Sequence, residues 1–105
     1  MIIPKSYEEI ATYLEKNEKI VFFFTADWCP DCQFIYPALP AIQTENPEFT
    51  FVRIDRDEFM EVAQQWGIFG IPSFVVIENG KEIGRLVNKL RKTKAEINQF
   101  LAGLK

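Results

Sequence analysis

A chain of 105 residues, 48% apolar and 26% charged with a net charge of −3, has the make-up of one ordinary globular domain, 1–105, and not of a disordered segment. The acidic balance argues against nucleic acid as a main partner, because phosphate binding is driven by basic patches. The absence of histidine excludes His-based triads, imidazole acid–base catalysis and every zinc site that uses imidazole.

The N-terminal "MIIPKSYEEI" has no basic n-region and no apolar h-region, so it does not read as a signal peptide. Ser6–Tyr7–Glu8–Glu9 has capping-box spacing, and Tyr7, Ile10, Ala11 and Leu14 share a face, predicting a helix to about Asn17. Lys19 to Thr25, "KIVFFFT", is an apolar run of β formers and predicts a strand buried on both faces. Its core, Ile20 to Phe24, is the longest apolar stretch and far too short to span a bilayer, so no membrane partner is expected. The expectation is a cytoplasmic monomer, in a compartment where thiols stay reduced and disulfides are transient and catalytic.

A helical pattern through Phe34, Ile35, Ala38, Leu39 and Ile42 follows, kinked at Pro37, interrupted again at Pro40 and ended by "ENP" at Glu45 to Pro47. Phe49 to Asp55 predicts a second strand. Asp57 is placed to cap a short helix with the face Phe59, Val62, Ala63 and Trp66, ended by Gly67. "SFVVIENGKEIGRLV" predicts a hairpin turning at Asn79–Gly80. Lys89 to Lys94, "KLRKTK", reads as a solvated loop entering the last helix, which Thr93 to Glu96 cap and Ile97, Phe100, Leu101 and Leu104 anchor. The order α-β-α-β-α-β-β-α implies an α/β fold: a parallel crossover joined to an antiparallel pair in one mixed sheet, with helices on both faces.

The only two cysteines lie at the first strand-to-helix junction, in "ADWCPDCQ" (residues 26–33). Cys29 falls at the helix N-cap, Pro30 at N1, Asp31 at N2 and Cys32 at N3. The free N–H groups and positive helix end favour a thiolate on Cys29. Cys32, one turn on, points back toward it, so Cys29 is suited to attack a disulfide and Cys32 to resolve the mixed disulfide. A structural disulfide across so short a loop gains little from chain entropy. Zinc needs four ligands where this chain offers two thiolates, so a metal site would need a second chain or carboxylates.

"TADWCPDC", Pro37 and "GIFGIPSFVVIENGK" together resemble the thioredoxins, over most of the chain. The resemblance implies a thioredoxin-like fold, with a mixed sheet of four to five strands flanked by four helices, and a thiol–disulfide oxidoreductase with no cofactor beyond its own Cys29–Cys32 disulfide. It implies a cis bond at Ile71–Pro72, with Pro72 shaping the groove and keeping competing ligands off the thiolates. Ile71 would offer its backbone to an extended substrate, and Trp28, Trp66, Phe69 and Gly70 would rim the groove. The spacing of Trp66 equally suits core packing.

Three departures stand out. Pro30–Asp31 replaces the usual Gly-Pro, a W-C-P-D-C motif similar to that of a small eukaryotic thioredoxin-related protein of narrower substrate range. Phe23 and Phe51 stand where many thioredoxins bury an aspartate and a lysine, which leaves Asp31 as the expected local base for Cys32. Asn88 replaces a glycine and is expected to narrow the groove. Asp31 also sets a negative charge beside Cys29, which opposes the thiolate and favours a reductant over an oxidant. With no nucleotide fingerprint, electrons for reducing protein disulfides would come from a thioredoxin-reductase-like flavoprotein. Two other readings stay open: a redox-inactive binding module on this fold, and a dimer bridging an iron–sulfur cluster through four thiolates.

Overall fold

The computed structural model describes every residue from Met1 to Lys105. In chain order the elements are α1 (Tyr7–Leu14), β1 (Lys19–Thr25), α2 (Pro30–Ile35), a 3₁₀ turn (Tyr36–Ala38), α3 (Leu39–Glu45), β2 (Phe49–Asp55), α4 (Met60–Gln65), β3 (Ser73–Glu78), β4 (Lys81–Leu86) and α5 (Lys94–Ala102). The four strands form one sheet in the order β2-β1-β3-β4. β1 pairs parallel with β2 and antiparallel with β3, and β3 pairs antiparallel with β4. The fold is a mixed α/β sheet flanked by four helices, counting α2, the 3₁₀ turn and α3 as one bent run.

The period of a strand explains the two-sided core. Ile20, Phe22 and Phe24 of β1 point to one face, with Ile10, Phe59 and Ala63. Val21 and Phe23 point to the other, with Ile35, Leu39, Ile42, Ile97 and Leu101. Phe22, Phe23 and Phe24 are each 0% exposed, and each such burial is worth about 2–3 kcal/mol. β1 and its interior neighbour β3 are therefore buried along almost their whole length.

The bend in the second helix has the predicted causes. Pro37 lies in the 3₁₀ turn, and Pro40 opens α3. Buried Asn46 ends that helix by donating from Nδ2 to the Ile42 carbonyl (2.8 Å) and to Asn98 Oδ1 (2.8 Å), which ties α3 to α5. Asn79 (φ 54°) and Gly80 (φ 78°) are both left-handed, as the hairpin turn demands. Ser6 and Thr93 cap α1 and α5 by accepting the N–H of Glu9 and Glu96.

Two local readings are corrected. α1 ends at Leu14 and not near Asn17. Asp57 does not cap α4, whose N-cap is Phe59 with no side-chain bond. Asp55 turns the chain instead, its Oδ1 accepting from the N–H groups of Asp57 (2.9 Å) and Glu58 (3.1 Å). No helix is long and apolar enough to cross a membrane.

Candidate active site

β1, an interior strand, ends at Thr25, and Ala26 to Trp28 turn the chain into α2. Cys29 is extended (φ −83°, ψ 110°) and caps α2, with Pro30 in the first turn. Its Sγ accepts the backbone N–H of Cys32 at 3.1 Å. A helix N-terminus has orphan donors that need an acceptor, and here a sulfur serves. Both cysteines are free and buried, Cys29 at 4% and Cys32 at 0%.

The pair is asymmetric. Burial pushes the Cys32 thiol up to about 11, and the hydrogen bond with Cys29 adds to the rise; the Thr25 hydroxyl and the Ala26 backbone pull it back. Cys32 therefore stays protonated at neutral pH. Thr25 shares a 2.6 Å hydrogen bond with the Tyr36 hydroxyl, which accepts from Arg53 Nη2 at 3.1 Å. That network fixes the hydroxyl facing Cys32.

A raised thiol also links stability to pH. The unfolded chain gives up this proton first, so the stability present below about pH 9 is lost as pH rises toward 11. Reduced protein is expected to lose about 2 kcal/mol across that window, and Cys32→Ala to lose much less. Urea denaturation at both ends of the window measures the difference; equal slopes for the two proteins would refute it.

Beside the pair lies a groove of about 300 Å³, lined by Trp28, Cys29, Pro30, Asp31, Arg56, Phe69, Gly70, Ile71 and Lys89. Trp28 and Phe69 are 59% and 63% exposed, a large apolar area to leave in water. Trp28 is held by donating from Nε1 to Asp57 Oδ2 at 2.6 Å, and the Arg56 guanidinium lies 5.4 Å from its ring centroid. The Ile71–Pro72 peptide bond is cis, and Pro72 is buried. The Cys29 Sγ lies 4.0 Å from the Ile71 carbonyl oxygen. Gly70 is required by a close approach: a Cβ there would sit 2.6 Å from the backbone carbon and oxygen of Asn88.

Trp66 does not join this groove. It packs edge-on to Phe22 (5.2 Å) and Phe24 (5.7 Å), so its helical spacing is that of a core residue. Asn88 does not narrow the groove with its side chain either. Its Oδ1 turns into its own loop and accepts from the Leu90 N–H (2.9 Å) and Lys92 Nζ (2.8 Å).

Asp31 differs most from its expected role. Its Oδ1 accepts from Arg91 Nε at 3.0 Å, so its charge is offset and its carboxylate is already engaged. The hydrogen bonds that act on Cys32 come from Cys29, Thr25 and Ala26, and Asp31 makes none of them. Asp31→Asn is accordingly expected to leave the rate of the resolving step unchanged. Single-turnover decay of a mixed disulfide measures it, and a slowed decay would restore Asp31 as the base.

The residues missed by sequence reasoning are Thr25, Arg56, Lys89, Arg91 and Lys92. The run "KLRKTK" is not solvated throughout: Arg91 reaches the motif and Lys92 is 0% exposed. No group of three or more acidic, cysteine or histidine side chains is drawn together as a metal site.

A family model described as Thioredoxin matches residues 2–103. This chain belongs to the thioredoxin family. Thioredoxin H2-2 of Oryza sativa subsp. japonica is 39% identical over 87 residues, which make up 82% of this chain and 65% of that protein. Thioredoxin H-type 1 of Nicotiana tabacum is 39% identical over 88 residues, 84% of this chain and 68% of that one. The match thus spans about two thirds of the length of either relative. The X-ray structure of Fasciola hepatica thioredoxin superposes with a TM-score of 0.86 at 27% identity, both chains being covered in full. Membership of the thioredoxin family and a buried, closely spaced cysteine pair support thiol–disulfide oxidoreductase chemistry in general.

Proposed function

We propose that this thioredoxin-family chain is a cytoplasmic reductant of protein disulfides. One observation carries the reading: Cys29 caps a helix at the edge of an exposed apolar groove, while Cys32 sits fully buried and protonated behind it. The first sulfur is placed to react with a partner and the second to wait.

The Cys29 thiolate attacks one sulfur of the substrate disulfide. That S–S bond breaks, a mixed disulfide forms, and the leaving thiolate takes a proton. Cys32 then loses its proton and attacks Cys29, freeing the second substrate thiol. Substrate gains two electrons and two protons; the chain keeps a Cys29–Cys32 disulfide. Part of what raises Cys32 comes from Cys29 itself, through a hydrogen bond and charge. Once Cys29 is bonded to substrate it carries no charge, so Cys32 ionises more easily when its proton must leave.

The Ile71 amide and carbonyl make no backbone hydrogen bond within the chain, since pairing of β3 begins at Ser73. An extended substrate can therefore add to them as a strand does, with Trp28 and Phe69 covering its side chains. The dithiol is regenerated by a thioredoxin-reductase-like flavoprotein, and the W-C-P-D-C motif goes with a narrow set of substrates.

Equilibration against glutathione or dithiothreitol, followed by alkylation, tests the reading. A potential near roughly −270 mV is expected. A value near roughly −120 mV would make the chain an oxidant, and a pair that does not cycle would remove the redox function.

A further inference from the structure

Lys92 is a fully buried lysine that neither the fold nor the exchange chemistry has so far used. Its Nζ donates to Leu90 O (2.6 Å), Asn88 Oδ1 (2.8 Å) and Asn88 O (3.4 Å). All three acceptors are neutral, and no carboxylate pairs with it among the ion pairs of the chain. Withdrawing an ammonium from water costs several kcal/mol even after relaxation, and an unpaired one recovers least. A methionine would fill the same space without that cost.

The loop that carries Lys92 is clamped to the cysteine helix. Arg91 bonds Asp31 between the two cysteines and lies 4.3 Å from the Phe34 ring centroid. On its other side, the Asn88 backbone abuts Gly70 and so fixes the loop against the Ile71–Pro72 segment. The loop into which Lys92 donates is thus fixed against the cysteine helix on one side and the cis-proline segment on the other.

We propose that Lys92 is a positioning residue of the dithiol site, a buried fixed cation that favours the anionic form of the cysteine pair. The charged and titratable groups acting on it are few. Glu96 lies on the following helix and is exposed; Asp31 is already paired with Arg91; the other two are Cys32 and Cys29. Burial pushes the ammonium down from its ordinary range, and the anionic forms of those four groups hold it up. With Phe23 and Phe51 lining the opposite face of the sheet, no charged residue occupies the core there, and Lys92 is the only charged side chain among the buried residues. Attraction in such a site is weakly screened, so a single cation has an outsized effect on a neighbouring thiolate.

This inference rests on the redox reading, but its test needs only the reduced protein. The pH profile of iodoacetamide alkylation is measured for the parent, Lys92→Met and Asn88→Ala. Lys92→Met is expected to raise the midpoint by about one pH unit, the scale set by losing a neighbouring opposite charge, and to make the potential more negative. Asn88→Ala keeps the ammonium while loosening the loop, and its midpoint is expected to stay near the parent's. An unmoved midpoint in a folded Lys92→Met, or an equal shift in Asn88→Ala, would reduce Lys92 to a loop latch and overturn the proposal. Should Lys92→Met not fold, the parent's own profile in low and high salt decides. A buried cation gives a salt-independent midpoint, whereas a midpoint that climbs with salt would assign the effect to exposed Arg91 or Lys89. Failure of the parent to form or reduce its disulfide would instead remove the redox reading while leaving the alkylation result standing.

Discussion

Cys29→Ser is expected to lower disulfide reduction by more than about a thousandfold, because removal of the nucleophile leaves only binding and positioning. Cys32→Ser is expected to behave differently. It keeps the exposed-side sulfur and its groove, so it attacks substrate once and stops as a mixed disulfide. The two variants separate the roles: turnover disappears in both, while a covalent adduct accumulates only in the second. Mass spectrometry after incubation with an oxidised protein substrate reads this directly. Undiminished disulfide reduction by Cys29→Ser would remove Cys29 as the nucleophile. An adduct on Cys32 would reverse the assignment, against its complete burial beneath the helix end.

Phe23→Asp is expected to cost at least about 3–5 kcal/mol, a large part of the stability of an ordinary domain. Many thioredoxins bury an aspartate here, so the substitution resembles a repair. The structure makes it a lesion. Phe23 is 0% exposed, stacks on Phe74 at 4.9 Å and meets Tyr36 edge-on at 6.2 Å. Phe51, which stands in for the usual lysine, shares that apolar cluster and is itself 4% exposed. A carboxylate at residue 23 would lose the ring contacts and enter an apolar cluster, and the cross-strand Arg53 is already engaged with the Tyr36 hydroxyl and ring. Denaturant titration of the variant measures the loss, and a midpoint close to the parent's would mean that water reaches this face of the sheet.

What could be read from the sequence was mostly local. "KIVFFFT" has too many consecutive apolar side chains to be anything but a strand covered on both faces, and Asn79–Gly80 tolerates the left-handed backbone that its turn requires. The two capping boxes name their own partners three residues away. The cysteine pair belongs to this class, since the N-cap geometry of Cys29 follows from the strand before it and Pro30 after it. Contacts between distant segments were not legible. Nothing in the order of residues says that Arg91 neutralises Asp31, or that a lysine in a basic run is buried while its neighbour stays exposed. Trp66 was ambiguous because one helical spacing serves both a core face and an exposed rim, and only the approach of Phe22 and Phe24 decides. Asp57 failed as a cap for a subtler reason. Asp55, two residues earlier, turns the chain by accepting the N–H groups of Asp57 and Glu58, and Trp28 and Arg56 draw the Asp57 carboxylate away.

The two sulfurs are neighbours along the chain, but what makes them unlike each other is assembled from far away. Ile71 lies 42 positions beyond Cys29, and Arg91 lies 60 beyond Asp31. A nascent or thermally opened chain keeps both thiols and loses the distinction between them. Each would then titrate and alkylate like any cysteine in a peptide. Chemical inequality of the pair is therefore a tertiary property, and the ratio of their labelling rates measures how much of a sample is folded. The same ratio, followed in time, reports when the sheet closes over the motif.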